Sequence, residues 1–271
     1  MTGSDRVLAG VVGFPVAHSR SPAMHNAAYA ALSLDWRYVR LPLAPDRFDE
    51  AVRALPGSRY RGVNVTVPHK LAALALADEA TPAAAAIGAA NTLTFAGGRI
   101  EADNTDAGGF LDALETPPRG LRALVLGAGG AGRAVAWALR EAGAAEVSVW
   151  NRTSERAAAL ASDLGVRHVP APEAADLLVN ATTIGLETGL SDSAAIEALG
   201  IGSLEAPATV VDLVYRDPST PVAAWAKRRG ARVVDGLEVL VRQGARSLER
   251  WTGRKPPLEV MRVAVRDAGA A

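Results

Sequence analysis

The sequence predicts an α/β fold built as two lobes. Segments typical of strands alternate with segments typical of helices along nearly the whole chain of 271 residues, which favours βα units and largely parallel sheets. A polar, proline-rich stretch at 115–120 interrupts the alternation and predicts a boundary between the lobes. Soon after it, a glycine-rich loop joins a strand to a helix, which is typical of a Rossmann-type lobe.

The first lobe is predicted to contain a mixed sheet. Its helix at 22–32 has a well-marked start, because Ser21 is expected to cap it and Pro22 suits the first helical position. Gly97 and Gly98 predict a hairpin, which makes the two strands beside it antiparallel. We expect strands at 7–14, 36–41, 62–67, 91–95 and 99–102, and helices at 22–32, 46–54 and 68–76.

The second lobe is predicted to be a further series of βα units. Its third helix is delimited at both ends, by Thr220 and Pro221 before it and by Gly230 after it. We expect strands at 121–126, 146–150, 166–169, 176–181, 209–215 and 232–234, and helices at 131–141, 154–164 and 221–229, followed by an amphipathic helix at 237–251.

Composition narrows the class of protein. Hydrophobic residues make up 49% of the chain, enough for a buried core, and 29 basic residues balance 29 acidic ones. Such a balance gives no field that would gather nucleic acid, so we expect a small-molecule substrate. Cysteine is absent, which excludes thiolate zinc sites, and we expect no metal. No apolar run approaches the roughly 20 residues of a membrane helix, so we expect a cytoplasmic protein. For the oligomeric state we expect a monomer or a homodimer.

The glycine loop has the register of a dinucleotide site. Gly127, Gly129 and Gly132 fit the pattern G-x-G-x-x-G between an apolar strand and a helix. Without Cβ atoms, such a loop lets backbone N–H groups and the helix N-terminus approach a pyrophosphate. A turn that only packs the strand against the helix is the alternative interpretation.

The end of the next strand selects the dinucleotide. NAD sites carry an acidic side chain there for the ribose 2′-hydroxyl, whereas this chain has Asn151, Arg152 and Thr153, with Arg156 one helical turn later. A guanidinium group matches a phosphate and has no use for a lone hydroxyl, so the sequence predicts NADP.

Polar side chains stand at the ends of consecutive elements in the first lobe. Ser19 and Ser21 lie at a helix start, where hydroxyl and free N–H groups suit a carboxylate. Further along the chain follow Asn64, Thr66, Lys70, Asn91 and Asp106. Each alone is typical of a cap or a solvated surface group, but together with a nucleotide loop they predict a substrate site.

Eight short motifs give the chain a wider resemblance. AHSRSP, NVTVPHK, AANT, DNTDAGGF, GAGGAG, NRT, NAT and VVDLVY occur in the order and at about the spacing seen in shikimate dehydrogenases, so the chain resembles that family over essentially its whole length. The resemblance implies two α/β lobes with a cleft between them. Residues 1–106, completed by C-terminal helices within 237–271, would bind shikimate, and residues 107–236 would form the NADP-binding Rossmann domain.

The resemblance also implies a role for each matching residue. Lys70 and Asp106 would flank the oxygen that is oxidised, and either could be the acid. The substrate would contact Ser19, Ser21, Thr66 and Tyr215 around its carboxylate, and Asn64, Asn91 and Gln243 around its ring hydroxyls. NADP would contact Gly127, Ala128, Gly129, Gly130, Ala131, Gly132, Asn151, Arg152, Thr153, Arg156, Asn180, Ala181, Thr182, Leu213 and Gly236.

Two positions depart from the family pattern. His69 stands where an aromatic or small residue is more usual, and Glu238 stands where a second glycine is frequent. Nothing in the sequence pairs His18, His25 or His69 with a nucleophile, so we interpret all three as local structure.

The expected reaction is the reversible, NADPH-dependent reduction of 3-dehydroshikimate to shikimate, a step of aromatic amino acid (chorismate) biosynthesis. Three alternatives stay open at this point. They are an NAD-dependent quinate/shikimate dehydrogenase, an enzyme acting on aminated analogues of the ring, and a non-catalytic NADP-binding sensor.

Overall fold

The computed structural model describes residues 6–186 and 189–269. The chain divides into two compact units. The first unit runs up to Thr105 and resumes at Val241, and the second unit is Asp106–Leu240.

Within the described residues, the first unit has a six-stranded mixed sheet. Its strands are β1 (Val7–Gly13), β2 (Trp36–Pro42), β3 (Tyr60–Val65), β4 (Glu79–Ala80), β5 (Thr92–Ala96) and β6 (Arg99–Asp103), in the order β2-β1-β3-β5-β6-β4. β1 pairs in parallel with β2 and β3, whereas β5 is antiparallel to β3 and β6. The predicted mixed sheet and its hairpin are therefore confirmed.

The second unit has a six-stranded parallel sheet in the part of the chain that is described. Its strands are β7 (Arg122–Leu126), β8 (Glu146–Trp150), β9 (Arg167–His168), β10 (Leu177–Asn180), β11 (Thr209–Asp212) and β12 (Arg232–Val234), in the order β12-β11-β10-β7-β8-β9. The direction of winding reverses between β7 and β10, and ligands bind at such a reversal, beyond the carboxyl ends of the strands. The predicted Rossmann topology is confirmed.

Helices connect the strands of both sheets. They are α1 (Ser21–Ala31), α2 (Phe48–Arg53), α3 (Lys70–Leu76), α4 (Pro82–Ile87), α5 (Thr105–Leu114), α6 (Gly130–Glu141), α7 (Ser154–Leu164), α8 (Asp192–Ala198), α9 (Pro221–Arg228), α10 (Gly236–Thr252) and α11 (Leu258–Asp267). The sequence patterns did not predict α4, α5, α8 or α11. Among the described helices, none has the length and apolar character that crossing a membrane requires.

Each sheet has its own apolar core. In the first unit, Val63 and Leu93 from the sheet pack with Phe48 of α2. In the second unit, Leu124 and Val210 pack with Trp225 of α9, which is 1% exposed. Burial of this kind contributes about 25 cal/mol for each Å² of apolar surface removed from water and holds the strand ends in place.

The start of α1 differs from the prediction. Ser21 is the first helical residue and does not cap the helix; the N-cap position belongs to Arg20, which makes no side-chain capping bond. Instead, the Ser19 hydroxyl oxygen accepts a hydrogen bond from the Ser21 backbone N–H at 3.3 Å. Pro22, predicted at the first helical position, is the second helical residue, and it still lies in the first turn, where its missing N–H would have no helical partner.

The strand predicted at 209–215 ends earlier, at Asp212. Leu213 still donates its N–H to the Asn180 carbonyl of β10, but the next N–H, that of Val214, turns to the Asp212 side chain. A side chain that competes for backbone donors in this way ends a strand.

Candidate substrate and nucleotide sites

Two buried serines lie at the start of α1, Ser19 in the preceding loop and Ser21 as the first helical residue. Ser19 is 6% and Ser21 is 4% exposed, so little of either hydroxyl reaches solvent. The guanidinium group of Arg40, on β2, donates two hydrogen bonds to the Ser19 carbonyl oxygen, at 2.6 and 3.0 Å. Arg40 therefore fixes this loop and also places a positive charge beside it, an arrangement that suits a carboxylate. Burial and, to a smaller extent, the charge of Arg40 lower the pKa of His18 below its usual value.

Asn64 is the centre of a buried polar network at the end of β3. Its oxygen accepts from the Tyr38 hydroxyl at 2.8 Å and from the Ser247 hydroxyl at 3.4 Å. Its nitrogen donates to the Asn91 carbonyl at 3.3 Å and to the Thr92 hydroxyl at 3.1 Å. Four bonds use the full capacity of one amide, so the side chain is held in a single orientation.

Asn91 extends the network toward two distant parts of the chain. Its side-chain oxygen accepts from the Thr105 N–H at 2.7 Å, and its nitrogen donates to the Gln243 oxygen of α10 at 3.2 Å. Asn91 is 2% and Gln243 is 7% exposed, so both amides are almost withdrawn from solvent. The three residues predicted to contact the ring hydroxyls, Asn64, Asn91 and Gln243, therefore lie together in one hydrogen-bonded network.

Lys70 is the first residue of α3 and is half-buried. Its carbonyl oxygen accepts from the Ala90 N–H at 2.9 Å, which joins the start of α3 to the segment that presents Asn91. The methyl group of Thr66 lies over Gly13, where a Cβ atom would approach it to 2.4 Å. Asp106, the second residue of α5, follows Thr105 directly in the chain and is also half-buried.

Two histidines near these residues are structural, as predicted. His69 is buried, its Nε2 lies 2.7 Å from the Leu43 carbonyl oxygen, and its ring stacks on Phe48 with centroids 4.4 Å apart. His25 stacks on Tyr38 at 4.2 Å, and neither of its ring nitrogens has a hydrogen-bond partner among the described residues. Burial lowers the pKa of His25 to about 3, so the ring is neutral.

In the second unit, the glycine loop is shaped by close backbone contacts. Gly127 has φ +111°, and a Cβ atom there would lie 2.9 Å from the Ala181 carbonyl group. A Cβ atom on Gly132 would lie 2.0 Å from the Gly127 oxygen. Gly129, in contrast, caps α6 and faces open space, with nothing within 4 Å of its Cβ direction. The loop thus leaves the first turn of α6, Gly130 and Ala131, open to an anion, as a pyrophosphate site requires.

Asn151 ties the glycine loop to the end of β8. Its oxygen accepts from the Ala128 N–H at 3.2 Å, and its nitrogen donates to the Thr153 carbonyl at 2.9 Å. Arg152 and Arg156 follow, both exposed, and neither guanidinium group has an ion-pair partner within the described ranges. Two available cations beside the expected adenosine ribose fit a 2′-phosphate.

A second polar network lies at the carboxyl ends of β10 and β11. Asn180 accepts from the N–H and the hydroxyl of Thr182 and donates to Asp212 at 2.9 Å. Asp212 also accepts from the Thr220 hydroxyl, and burial raises its pKa to about 6. The network holds residues 180–182, including Ala181, beside the glycine loop.

Comparison with known proteins identifies the family. Three family models match: "Shikimate dehydrogenase substrate binding domain" at residues 11–93, "Shikimate / quinate 5-dehydrogenase" at 115–198, and "Shikimate 5'-dehydrogenase C-terminal domain" at 236–266. A shikimate dehydrogenase (NADP(+)) from Thermus thermophilus is 47% identical over 95% of this chain and 97% of its own length. The chain belongs to the shikimate dehydrogenase family.

Solved structures related to this shikimate dehydrogenase family share its fold. The Thermus thermophilus shikimate 5-dehydrogenase in complex with NADP(H) and shikimate matches with a TM-score of 0.84 and 45% identity, covering 97% of this chain and 99% of that one. A ligand-free 5-ketofructose reductase from Gluconobacter matches with a TM-score of 0.82 and 32% identity, covering 97% and 99%. Proteins that share this fold are named for different substrates. The substrate therefore has to be inferred from the side chains of the site.

The shikimate dehydrogenase motifs did not point to every residue of the two networks. Tyr38 and Ser247 support Asn64 but lie in segments that have the pattern of an ordinary strand and an ordinary helix. Thr92 also supports Asn64, and it lies in the quoted motif AANT without having received a role. Asp212 lies in the quoted motif VVDLVY, yet its carboxylate received no role from the pattern. The sequence signal that could have pointed to Asp212 is a single acidic residue within an apolar strand, because acidic side chains are rarely buried unless they are paired. Within the described residues, no group of three or more histidine, aspartate or glutamate side chains could hold a metal ion.

Proposed function

We propose that this protein reversibly reduces 3-dehydroshikimate to shikimate with NADPH. Members of its family are named for that oxidoreduction, and the relative from Thermus thermophilus is named as NADP(+)-dependent. The family name also implies the pathway, the biosynthesis of aromatic amino acids through chorismate. The side chains of each unit support the proposal separately.

The observation that carries the proposal is the cluster of buried amides in the first unit. The amides of Asn64, Asn91 and Gln243 belong to one network of donors and acceptors, and hydrogen bonds lock the orientations of Asn64 and Asn91. A ring with several hydroxyl groups matches such a cluster, because each hydroxyl can both donate and accept a hydrogen bond. In this proposal the ring hydroxyls take the place of some bonds of the network, so a ligand that lacked one hydroxyl would leave a buried group unpaired, at a cost of about 1–3 kcal/mol, and the cluster is selective.

A carboxylate on the substrate suits the start of α1 and the loop before it. Ser19 and Ser21 supply hydroxyl groups, and Arg40 supplies a positive charge through its bonds to the Ser19 carbonyl. A ketose without a carboxylate, such as 5-ketofructose, gains nothing from that charge. This difference favours shikimate over the substrate named for the Gluconobacter relative.

When bound, NADPH supplies the hydride that reduces the ketone carbon. Negative charge then develops on the ketone oxygen and must be met by a proton. Lys70 carries three ammonium donors, and the bond from Ala90 to its carbonyl holds the start of α3 beside the Asn91 segment. In this proposal Lys70 donates the proton or stabilises the oxyanion, while Asp106 keeps Lys70 charged and oriented or shares the proton.

The second unit is proposed to hold the nucleotide. The N-terminus of α6 and the open face of Gly129 would receive the pyrophosphate, and Arg152 and Arg156 would pair with the 2′-phosphate. Thr153 follows β8 and Ala181 follows β10, at the same edge of the sheet. Leu213 and Gly236 would contact the nicotinamide, and Tyr215, half-buried in the loop after β11, would contact the substrate.

The test is a comparison of substrates and cofactors by nicotinamide absorbance. Purified protein is assayed with shikimate and with quinate, each with NADP and with NAD, and 5-ketofructose is assayed with NADPH. The proposal expects rapid turnover with shikimate and NADP above every other pair. Preference for quinate or NAD would transfer the assignment to the catabolic alternative, and preference for 5-ketofructose would contradict the carboxylate argument. NADP binding without turnover in any pair would support a sensor.

A further inference from the structure

Asp212 makes more structural contacts than a strand-end residue needs. It is 1% exposed, and its carboxylate accepts hydrogen bonds from three separate segments. They are the Asn180 amide on β10, the Val214 N–H just after β11, and the Thr220 hydroxyl that caps α9. None of these contacts is required for the parallel pairing of β10 with β11, which ends at Asp212 itself.

The bond from Val214 sets the direction of the peptide group before it. A trans peptide places its C=O and N–H on opposite sides, and the cis peptides of the described chain all precede proline, so Leu213–Val214 is trans. With the Val214 N–H directed at Asp212, at 3.1 Å, the Leu213 carbonyl must point away from the carboxylate. It points toward the start of α10, because a Cβ atom on Gly236 would lie 2.6 Å from that oxygen.

We propose that Asp212 is a positioning residue for the nicotinamide end of NADP, acting through the Leu213 carbonyl. The inference rests on the proposed function, in which Leu213 and Gly236 contact the nicotinamide. A nicotinamide carries a carboxamide whose NH₂ group needs an acceptor, and a carbonyl of fixed direction is a good one. Without Asp212, the Val214 N–H loses the hydrogen bond that directs this peptide, and the Leu213 carbonyl would have to be oriented on binding.

The experiment compares two ligands that share the adenosine half. NADP+ carries the nicotinamide, and adenosine 2′,5′-bisphosphate does not. Their dissociation constants are measured by calorimetry for the wild type, Asp212→Ala and Asp212→Asn. Asp176→Asn is the control, because the Asp176 carboxylate accepts hydrogen bonds from Arg122 at the opposite edge of the same sheet, where β7 and β10 begin. Thermal melts verify that each variant is folded.

Asp212→Ala is expected to weaken NADP+ binding by about 3- to 10-fold, which corresponds to the loss of one hydrogen bond. The dissociation constant of adenosine 2′,5′-bisphosphate should stay within about twofold of the wild-type value. Asp212→Asn keeps an oxygen for the Val214 N–H and should recover most of the loss. Equal weakening of both ligands would mean general disorder of the unit and overturn the inference, as would unchanged NADP+ affinity in Asp212→Ala.

Hydrogen exchange keeps the proposal testable if Asp212→Ala does not fold. In Asp212→Asn without nucleotide, the amides of residues 213–216 are expected to exchange faster than in the wild type and in Asp176→Asn, because a neutral amide is a weaker acceptor. Unchanged exchange would overturn the inference. A wild type that binds NADP+ no better than the bisphosphate would also overturn it, whereas binding without shikimate oxidation would overturn only the proposed function.

Discussion

The Asn91 side-chain nitrogen donates to the Gln243 oxygen at 3.2 Å and joins two residues 152 positions apart in the chain. Asn91 stands just before β5, and Gln243 lies on α10, after the chain has passed through the whole second unit. The Trp251 Nε1, on the same helix, donates to the Leu93 carbonyl of β5 at 3.2 Å. The first unit is therefore completed by the C-terminal part of the chain.

Replacing Gln243 tests whether this amide contacts the substrate. Gln243→Ala removes a donor and an acceptor and leaves the Asn91 amide with one partner fewer. We expect KM for shikimate to rise by about 5- to 20-fold, with a smaller change in kcat. Steady-state kinetics measure both constants. Glu249→Ala, at an exposed position of the same helix, is the control, and an equal effect in the control would contradict a specific role.

Arg40 is expected to act through the Ser19 loop. Arg40→Ala removes both bonds to the Ser19 carbonyl and the nearby charge, so KM for shikimate should rise by roughly tenfold while kcat falls less. Arg37→Ala, at an exposed position on the same strand, should leave KM unchanged. A loss confined to kcat in Arg40→Ala would contradict the carboxylate assignment.

Arg152 is expected to distinguish NADP from NAD. Arg152→Ala should weaken NADP binding by about 10-fold or more, since a hydrogen bond to a charged group contributes roughly 1.5–3 kcal/mol, and NAD binding should change little. Calorimetry with both nucleotides measures the difference. Arg228→Ala, also exposed in the second unit, serves as the control. Similar losses for NADP and NAD would contradict the phosphate assignment.

His25 is expected to make the fold sensitive to acid. Its folded pKa is about 3 against an ordinary 6.5, so below pH 6.5 the unfolded chain binds a proton that the folded chain does not. The contribution of His25 to the free energy of unfolding should therefore fall by about 2 kcal/mol between pH 8 and pH 5. The raised pKa of Asp212 has the opposite sign, because its folded form holds a proton longer than the unfolded form as pH rises.

Differences between variants isolate the His25 effect. Urea unfolding is measured for the wild type, His25→Leu and His25→Phe at several pH values. Both variants should gain stability relative to the wild type as the pH drops, whatever their difference at pH 8. A stability difference that does not vary with pH would refute a neutral, buried His25.

Much of this architecture could be predicted from local patterns. The alternation of βα units predicted both sheets, and helix α7 has the bounds that were expected. The G-x-G-x-x-G loop was placed correctly because its chemistry is local: Gly127 and Gly132 have no room for a Cβ atom. The roles of the individual site residues remain predictions.

Other features depend on contacts between distant segments, which periodicity does not encode. The packing of α11 on α1 and the Asn91–Gln243 bond need the folded topology. Ser21 matched the statistics of an N-cap, yet the Ser19 hydroxyl took the available N–H. The β11 strand ended early because one buried carboxylate, Asp212, competed for a backbone donor.

The most direct measurement is the initial rate of NADPH formation from shikimate by the wild type, by Lys70→Ala and by the control Lys255→Ala. Our proposal predicts rapid turnover by the wild type and the control, and a kcat lower by about 10²-fold or more in Lys70→Ala, with NADP affinity retained. Near wild-type turnover in Lys70→Ala would remove Lys70 from the mechanism. No turnover by the wild type would contradict the proposed reaction itself.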